Sequence, residues 1–175
     1  MDLKTIVKKF PKAKVLIVGD VMLDRFIRGE AKKISPEAPV PVVEVKKETY
    51  CLGGAGNVAN NITALGGNVL LAGVAGSDYT AEILYGEMEK RKIGKEGILA
   101  DDSRITSIKT RIIAGRQQVV RYDKETVREL SPSVSAKLAA YVKNAIPGCD
   151  AVLISDYGKG VVTQKLINEF ACGRT

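Results

Sequence analysis

The densest chemistry in the sequence lies in Leu52-Gly53-Gly54-Ala55-Gly56-Asn57-Val58-Ala59, a glycine-rich run that leads straight into a segment of helical spacing. Consecutive glycines let a backbone approach a ligand closely. The free N–H groups of a helix start carry partial positive charge that favours a hydroxyl-rich or anionic ligand. The gain is modest, about 0.3–1 kcal/mol per favourable charge at an exposed site. Asn57 falls in the first turn, where its amide can both donate and accept. A plain structural role, a tight strand-to-helix turn with close packing, suits the same glycines. Gly54-x-Gly56-x-x-Ala59 also fits a loose dinucleotide fingerprint, but its context fails. That fingerprint follows the first strand of its fold directly, whereas here Val15 to Val18 runs into Gly19-Asp20-Val21-Met22-Leu23-Asp24, and no acidic residue closes the strand Val69 to Val74.

Asp20 lies just past the first strand, where open parallel sheets bind their ligands, and Asp24 follows four residues later. Carboxylates there can accept hydrogen bonds from sugar hydroxyls; Asp20 can equally cap a turn through Gly19. On position alone Asp20 is expected to matter more to a sugar than Asp24. A second strand end falls at Ser155-Asp156-Tyr157-Gly158-Lys159-Gly160, a glycine-punctuated loop with a carboxylate, a phenol and an ammonium. It suits polar ligand contact or a plain turn. Arg111, Arg116 and Arg121 sit on a predicted hairpin, and a guanidinium fork matches a phosphate, although each taken singly also fits a solvated surface charge.

The elements that must position these groups read as follows. Lys14 to Val18, Val69 to Val74 and Ala151 to Ser155 are short apolar runs of the buried parallel-strand kind. Ala55 to Leu65, Tyr79 to Arg91 and Ser133 to Ala145 have helical spacing, the last opened by Ser131-Pro132 as cap and first turn, and a further helix begins near Thr163. Strands alternating with helices predict an α/β parallel sheet with right-handed crossovers. Arg25 to Gly29 and Val42 to Tyr50 read instead as strands flanking Ile34-Ser35-Pro36-Glu37-Ala38-Pro39-Val40-Pro41, whose prolines exclude a helix. Thr106 to Ile113 and Gln117 to Tyr122 form the hairpin and can join the same small, off-standing layer. No repeat or linker divides residues 1–175, so a single domain is expected.

Composition narrows the chemistry. With no histidine, an imidazole base, a Ser-His-Asp triad and a His-ligated metal are all excluded. Lys and Arg outnumber Asp and Glu by 27 to 20 and are spread along the chain, which favours anionic ligands. Only 5% of residues are aromatic and none is Trp, so phosphorylated metabolites fit better than nucleic acid. Cys51, Cys149 and Cys172 are far apart and in no CxxC arrangement, so no metal site and reduced thiols in a cytoplasm are expected. No apolar run is long enough to span a bilayer, and Met1 to Phe10 lacks the pattern of an export signal.

Gly19 to Arg25, Ile34 to Pro41 and Gly53-Gly54-Ala55-Gly56-Asn57-Val58-Ala59-Asn60-Asn61 together resemble the fingerprint of ribokinase-like (PfkB) sugar kinases. The Ser-Pro-Glu-Ala-Pro-Val-Pro stretch, Gln117 to Asp123 and Ser155 to Gly160 are similar to the heptose-7-phosphate kinase branch, which phosphorylates the anomeric hydroxyl on the way to ADP-heptose for lipopolysaccharide. The resemblance implies a ribokinase-like α/β fold, a parallel sheet flanked by helices with a small β lid at about residues 24–51 and 106–122. It implies that Asp20, Gly53, Gly54 and Asn57 contact the sugar, that Arg111 and Arg121 meet its phosphate, and that Asp156 and Lys159 lie on the phosphoryl side. It implies also that the lid serves as a homodimer contact. ATP and Mg are the cofactors of the full-length family, whose catalytic base stands in a Gly-Ala-Gly-Asp motif. That motif occurs nowhere in this sequence. The expectation is therefore a truncated copy or split gene product that lacks the base and the nucleotide site. A non-catalytic sugar-phosphate-binding or dimerising module is the alternative.

Overall fold

The computed structural model describes residues 2–171; Cys172 and the rest of the terminal segment lie outside them. In chain order the elements are α1 (Leu3–Val7), β1 (Lys14–Gly19), β2 (Val21–Ile34), β3 (Pro41–Gly54), α2 (Ala55–Ala64), β4 (Asn68–Ala75), α3 (Tyr79–Lys90), β5 (Gly97–Ala100), β6 (Ser107–Ala114), β7 (Gln117–Lys124), α4 (Pro132–Ala145), β8 (Ala151–Ser155) and α5 (Gln164–Ala171).

A parallel sheet in the order β5-β4-β1-β8 forms the body. Alternate residues of β1 serve opposite faces. Ile17 packs with Ala55 and Ala59 of α2 and with Leu84 and Met88 of α3. Leu16 and Val18 pack with Leu138 and Val142 of α4 and Leu166 of α5. Burial on both faces is why β1 is a continuous apolar run, and each fully buried leucine contributes roughly 1.5–3 kcal/mol. The start of α4 is capped as the sequence predicts, with Ser131 accepting from the Val134 N–H and Pro132 in the first turn; at the start of α3, Asp78, which the sequence reading did not single out, accepts from the Ala81 N–H at 2.9 Å. Among the described residues no helix is long and apolar enough to cross a membrane.

The second sheet, β3-β2-β6-β7, is the off-standing layer. β2 pairs antiparallel with β3 and parallel with β6, and β6 pairs antiparallel with β7. Its first two strands are longer than the sequence suggests. Val21, Met22 and Leu23, which read as loop after Gly19-Asp20, are the buried base of β2, and Leu52 is the buried base of β3. The ribbon is thus rooted in the core and exposed toward its tip. Pro41 is the first residue of β3, where a missing N–H is tolerated, and Ser35 N–H closes the proline-rich turn onto the Val40 carbonyl at 2.8 Å. The four-residue strand β5 was not anticipated.

Candidate functional site

Asp20 is the single residue between β1 and β2, and therefore the junction of the two sheets. It is 1% exposed. Its backbone N–H donates to the Ser155 carbonyl at 3.1 Å and its own carbonyl accepts from Ala55 N–H at 2.9 Å. The carboxylate accepts from the N–H groups of Tyr157 at 2.7 Å, Lys159 at 3.2 Å and Val161 at 3.4 Å. Both carboxylate oxygens are therefore occupied by the loop after β8, which places Asp20 as the holder of that loop and not in open space facing a ligand. Gly54 sits against the same junction at φ +54°, and a side chain there would collide with the Asp20 carbonyl. Only glycine suits that position on both counts.

Strand pairing assigns the other candidates to faces. Asp24 is level with Lys109 on β6, and Lys109 with Asp123 on β7; Phe26 is level with Arg111, and Arg111 with Arg121. Residues two apart on a strand share a face, so Asp24, Phe26, Lys109, Arg111, Arg121 and Asp123 form one charged face of the lid. Arg111 pairs with the Asp24 carboxylate and lies 5.3 Å over the Phe26 ring. A Cβ added at Gly53 would stand 2.7 Å from Asp24 Oδ2, so the glycine keeps that carboxylate uncovered on one side. Asn57 is exposed in the first turn of α2, the helix that continues from Gly53 and Gly54. Arg121 pairs with Asp123 at 3.1 Å, and Lys109 meets Asp123 at 2.9 Å. The Lys109 hydrogen bond leads in holding the Asp123 carboxyl below its usual range. Arg116, in the hairpin turn, is exposed.

The loop after β8 reaches this face through ion pairs. Lys159 Nζ meets Glu125 at 2.8 Å, and the other oxygen of Glu125 lies 3.6 Å from Lys109. Asp156 is exposed and accepts from the Gly158 N–H at 2.8 Å. Behind the loop lies Arg104, with a side chain 5% exposed. Burial pushes its guanidinium below the usual range against the opposing influence of the Asp101 and Asp20 carboxylates. Burial alone would raise the neighbouring Asp78, yet the Thr106 and Ala81 N–H groups and the Thr106 hydroxyl hold it low.

A family model for the pfkB family carbohydrate kinases matches residues 12–167. The chain belongs to this family. It is 48% identical over 165 residues to the bifunctional protein HldE of Desulfatibacillum aliphaticivorans, an alignment covering 94% of this chain and 34% of that protein. It is 46% identical over 158 residues to the HldE of Helicobacter pylori strain HPAG1, covering 88% of this chain and 34% of that one. The chain thus spans about a third of the length of these relatives. Among solved structures, phosphofructokinase-2 from Escherichia coli superposes with a TM-score of 0.66 at 18% identity, over 91% of this chain and 51% of that one. At that identity the likeness shows the fold, which is the ribokinase-like α/β fold expected from the sequence.

For a pfkB chain, three of the groups that order this face were not singled out in the sequence: Lys109, Glu125 and Arg104. Lys109 was within reach, since it stands two residues before Arg111 on a strand and must share its face. Among the described residues no three Asp, Glu or Cys side chains converge so as to hold a metal ion. The carboxylates that stand nearest the site are each engaged: Asp20 by backbone N–H groups, Asp24 by Arg111, Glu125 by two lysines. Among the described residues, these carboxylates do not fit a nucleotide-bound magnesium.

Proposed function

We propose that the charged lid face and the glycine-rich start of α2 bind heptose 7-phosphate, as the sugar-binding portion of an ATP-dependent kinase that phosphorylates the anomeric hydroxyl. The product would feed ADP-heptose and lipopolysaccharide synthesis. One observation carries the reading: Asp24, uncovered by Gly53 and paired with Arg111, puts a hydroxyl acceptor beside a phosphate donor at the mouth of the Gly53-Gly54 helix start. Asp24 and Asn57 would accept from and donate to sugar hydroxyls, and Gly53 and Gly54 would let the ring approach the backbone. Arg111 and Arg121, level with each other on adjacent strands, would meet the 7-phosphate. Asp20 would act indirectly, by fixing the loop that carries Asp156 and Lys159 on the phosphoryl side.

The base, ATP and Mg belong in this reading to a Gly-Ala-Gly-Asp region that these 175 residues do not contain. Phosphoryl transfer rests on positioning and charge stabilisation there. The opposite face of the lid carries the exposed apolar residues Val120 and Tyr122, and in this reading it is the homodimer contact.

Arg121→Met provides the test. Arg121 touches Asp123 and not Asp24, so its loss should leave the hydroxyl contacts intact. The expected result is heptose 7-phosphate binding weakened about tenfold with heptose binding unchanged, the size of one charge-assisted hydrogen bond. An equal loss for both sugars, or no loss for either, would remove the phosphate from this face.

A further inference from the structure

We propose that Arg104 is a positioning residue that, together with Asp20, grips the backbone of Lys159 on both sides of its Cα and thereby aims the Lys159 ammonium at the charged lid face. The proposal rests on the reading of that face as a sugar-phosphate site.

Both backbone polar groups of Lys159 are held by buried charges of opposite sign. Its N–H donates to Asp20 Oδ2 at 3.2 Å, and its carbonyl accepts from Arg104 Nη2 at 3.2 Å. The same Nη2 donates to the Arg128 carbonyl at 2.8 Å, which ties the loop after β8 to the segment that follows β7. Gly160 makes this closeness feasible: it adopts φ +83°, and a side chain there would collide with the Arg128 carbonyl. The Leu130 N–H completes the seam on the Gly160 carbonyl at 3.3 Å.

Arg104 is an expensive way to join two loops. Its Nε lies 3.9 Å from Asp101 Oδ2, too far for a hydrogen bond, and has no hydrogen-bond partner among the described residues. A buried guanidinium with a donor left over is costly, and apolar side chains of similar volume would often hold two segments at lower cost. What the charge adds is direction, because it fixes one carbonyl while Asp20 fixes the N–H of the same residue. Lys159 is left with its stem partly buried and its ammonium 2.8 Å from Glu125, one ion pair away from Lys109 on the lid. Preset donors of this kind need no reorganisation when an anion arrives.

The test is a double-mutant cycle read together with amide exchange on the 175-residue chain. In the Lys159 background, Arg104→Met should weaken heptose 7-phosphate binding about tenfold, and in the Lys159→Met background by less than about twofold, because a residue acting through Lys159 has nothing left to position. Arg104→Lys keeps the charge but sets its donors on a shorter, non-planar head that meets the two carbonyls less well, so it should give an intermediate loss and guards against a methionine variant that does not fold. Hydrogen exchange of residues 157–161 should quicken by about an order of magnitude in both Arg104 variants while β1 and β4 stay protected. Equal losses in the two backgrounds, or unchanged exchange in the loop, would overturn the proposal. If the unaltered chain does not bind heptose 7-phosphate while the loop still loosens, the clamp stands and the sugar-phosphate reading fails.

Discussion

Asp24→Ala is expected to weaken heptose 7-phosphate binding by about 10- to 100-fold with little change in stability, whereas Asp20→Ala should destabilise the chain by about 3 kcal/mol or more. The two carboxylates are four residues apart and differ in what surrounds them. Asp24 shares its charge with Arg111 and is partly exposed beside Gly53, so its removal takes a ligand contact and leaves the fold standing. Asp20 is fully enclosed, and its removal leaves the N–H groups of Tyr157, Lys159 and Val161 without their acceptor. Urea unfolding and calorimetric binding on the same preparations separate the two effects. A folded Asp20→Ala chain of unchanged stability that has lost the sugar, beside an Asp24→Ala chain that binds normally, would reverse the assignment.

That ordering is the opposite of the one read from sequence, and the reason is physical. Position after a strand end was legible for Asp20, but burial was not, since nothing in Gly19-Asp20-Val21 says that a loop 137 residues away folds back onto the carboxylate. The body of the fold was legible because its strands are apolar on both faces and its helices carry capping residues such as Ser131. Ala151 to Ser155 was read to the residue. β5 was missed because Gly-Ile-Leu-Ala is too short to show a period, and the base of β2 was missed because a one-residue junction leaves no turn between two strands. Arg104 was passed over for a simpler reason. A lone arginine in a polar stretch reads as solvated surface, and only tertiary packing buries it.

The second large effect concerns turnover. The 175-residue chain is expected to release no ADP from ATP and heptose 7-phosphate, and to gain activity when co-expressed with the remaining kinase portion of the Desulfatibacillum aliphaticivorans relative. The family's Gly-Ala-Gly-Asp motif is absent from these residues, and phosphoryl transfer without its anion site loses most of its charge stabilisation. In the proposed reading, the outer edge of the parallel sheet would receive such a partner. β8 is its outer strand, and Val152 and Ile154 are each 38% exposed. An open strand edge with exposed apolar residues favours pairing with another chain, so the isolated chain should also self-associate. ADP release is followed with a coupled assay and assembly by light scattering. Robust turnover by the 175 residues alone would mean that another group, Asp156 or Lys159 foremost, carries the chemistry.

Isothermal titration of the unaltered chain tests most directly whether it holds the sugar phosphate and not the nucleotide, as proposed. The chain is titrated in parallel with heptose 7-phosphate and with ATP plus magnesium. Saturable binding of heptose 7-phosphate with no binding of ATP is the predicted result. Saturable binding of ATP with no binding of heptose 7-phosphate would contradict it.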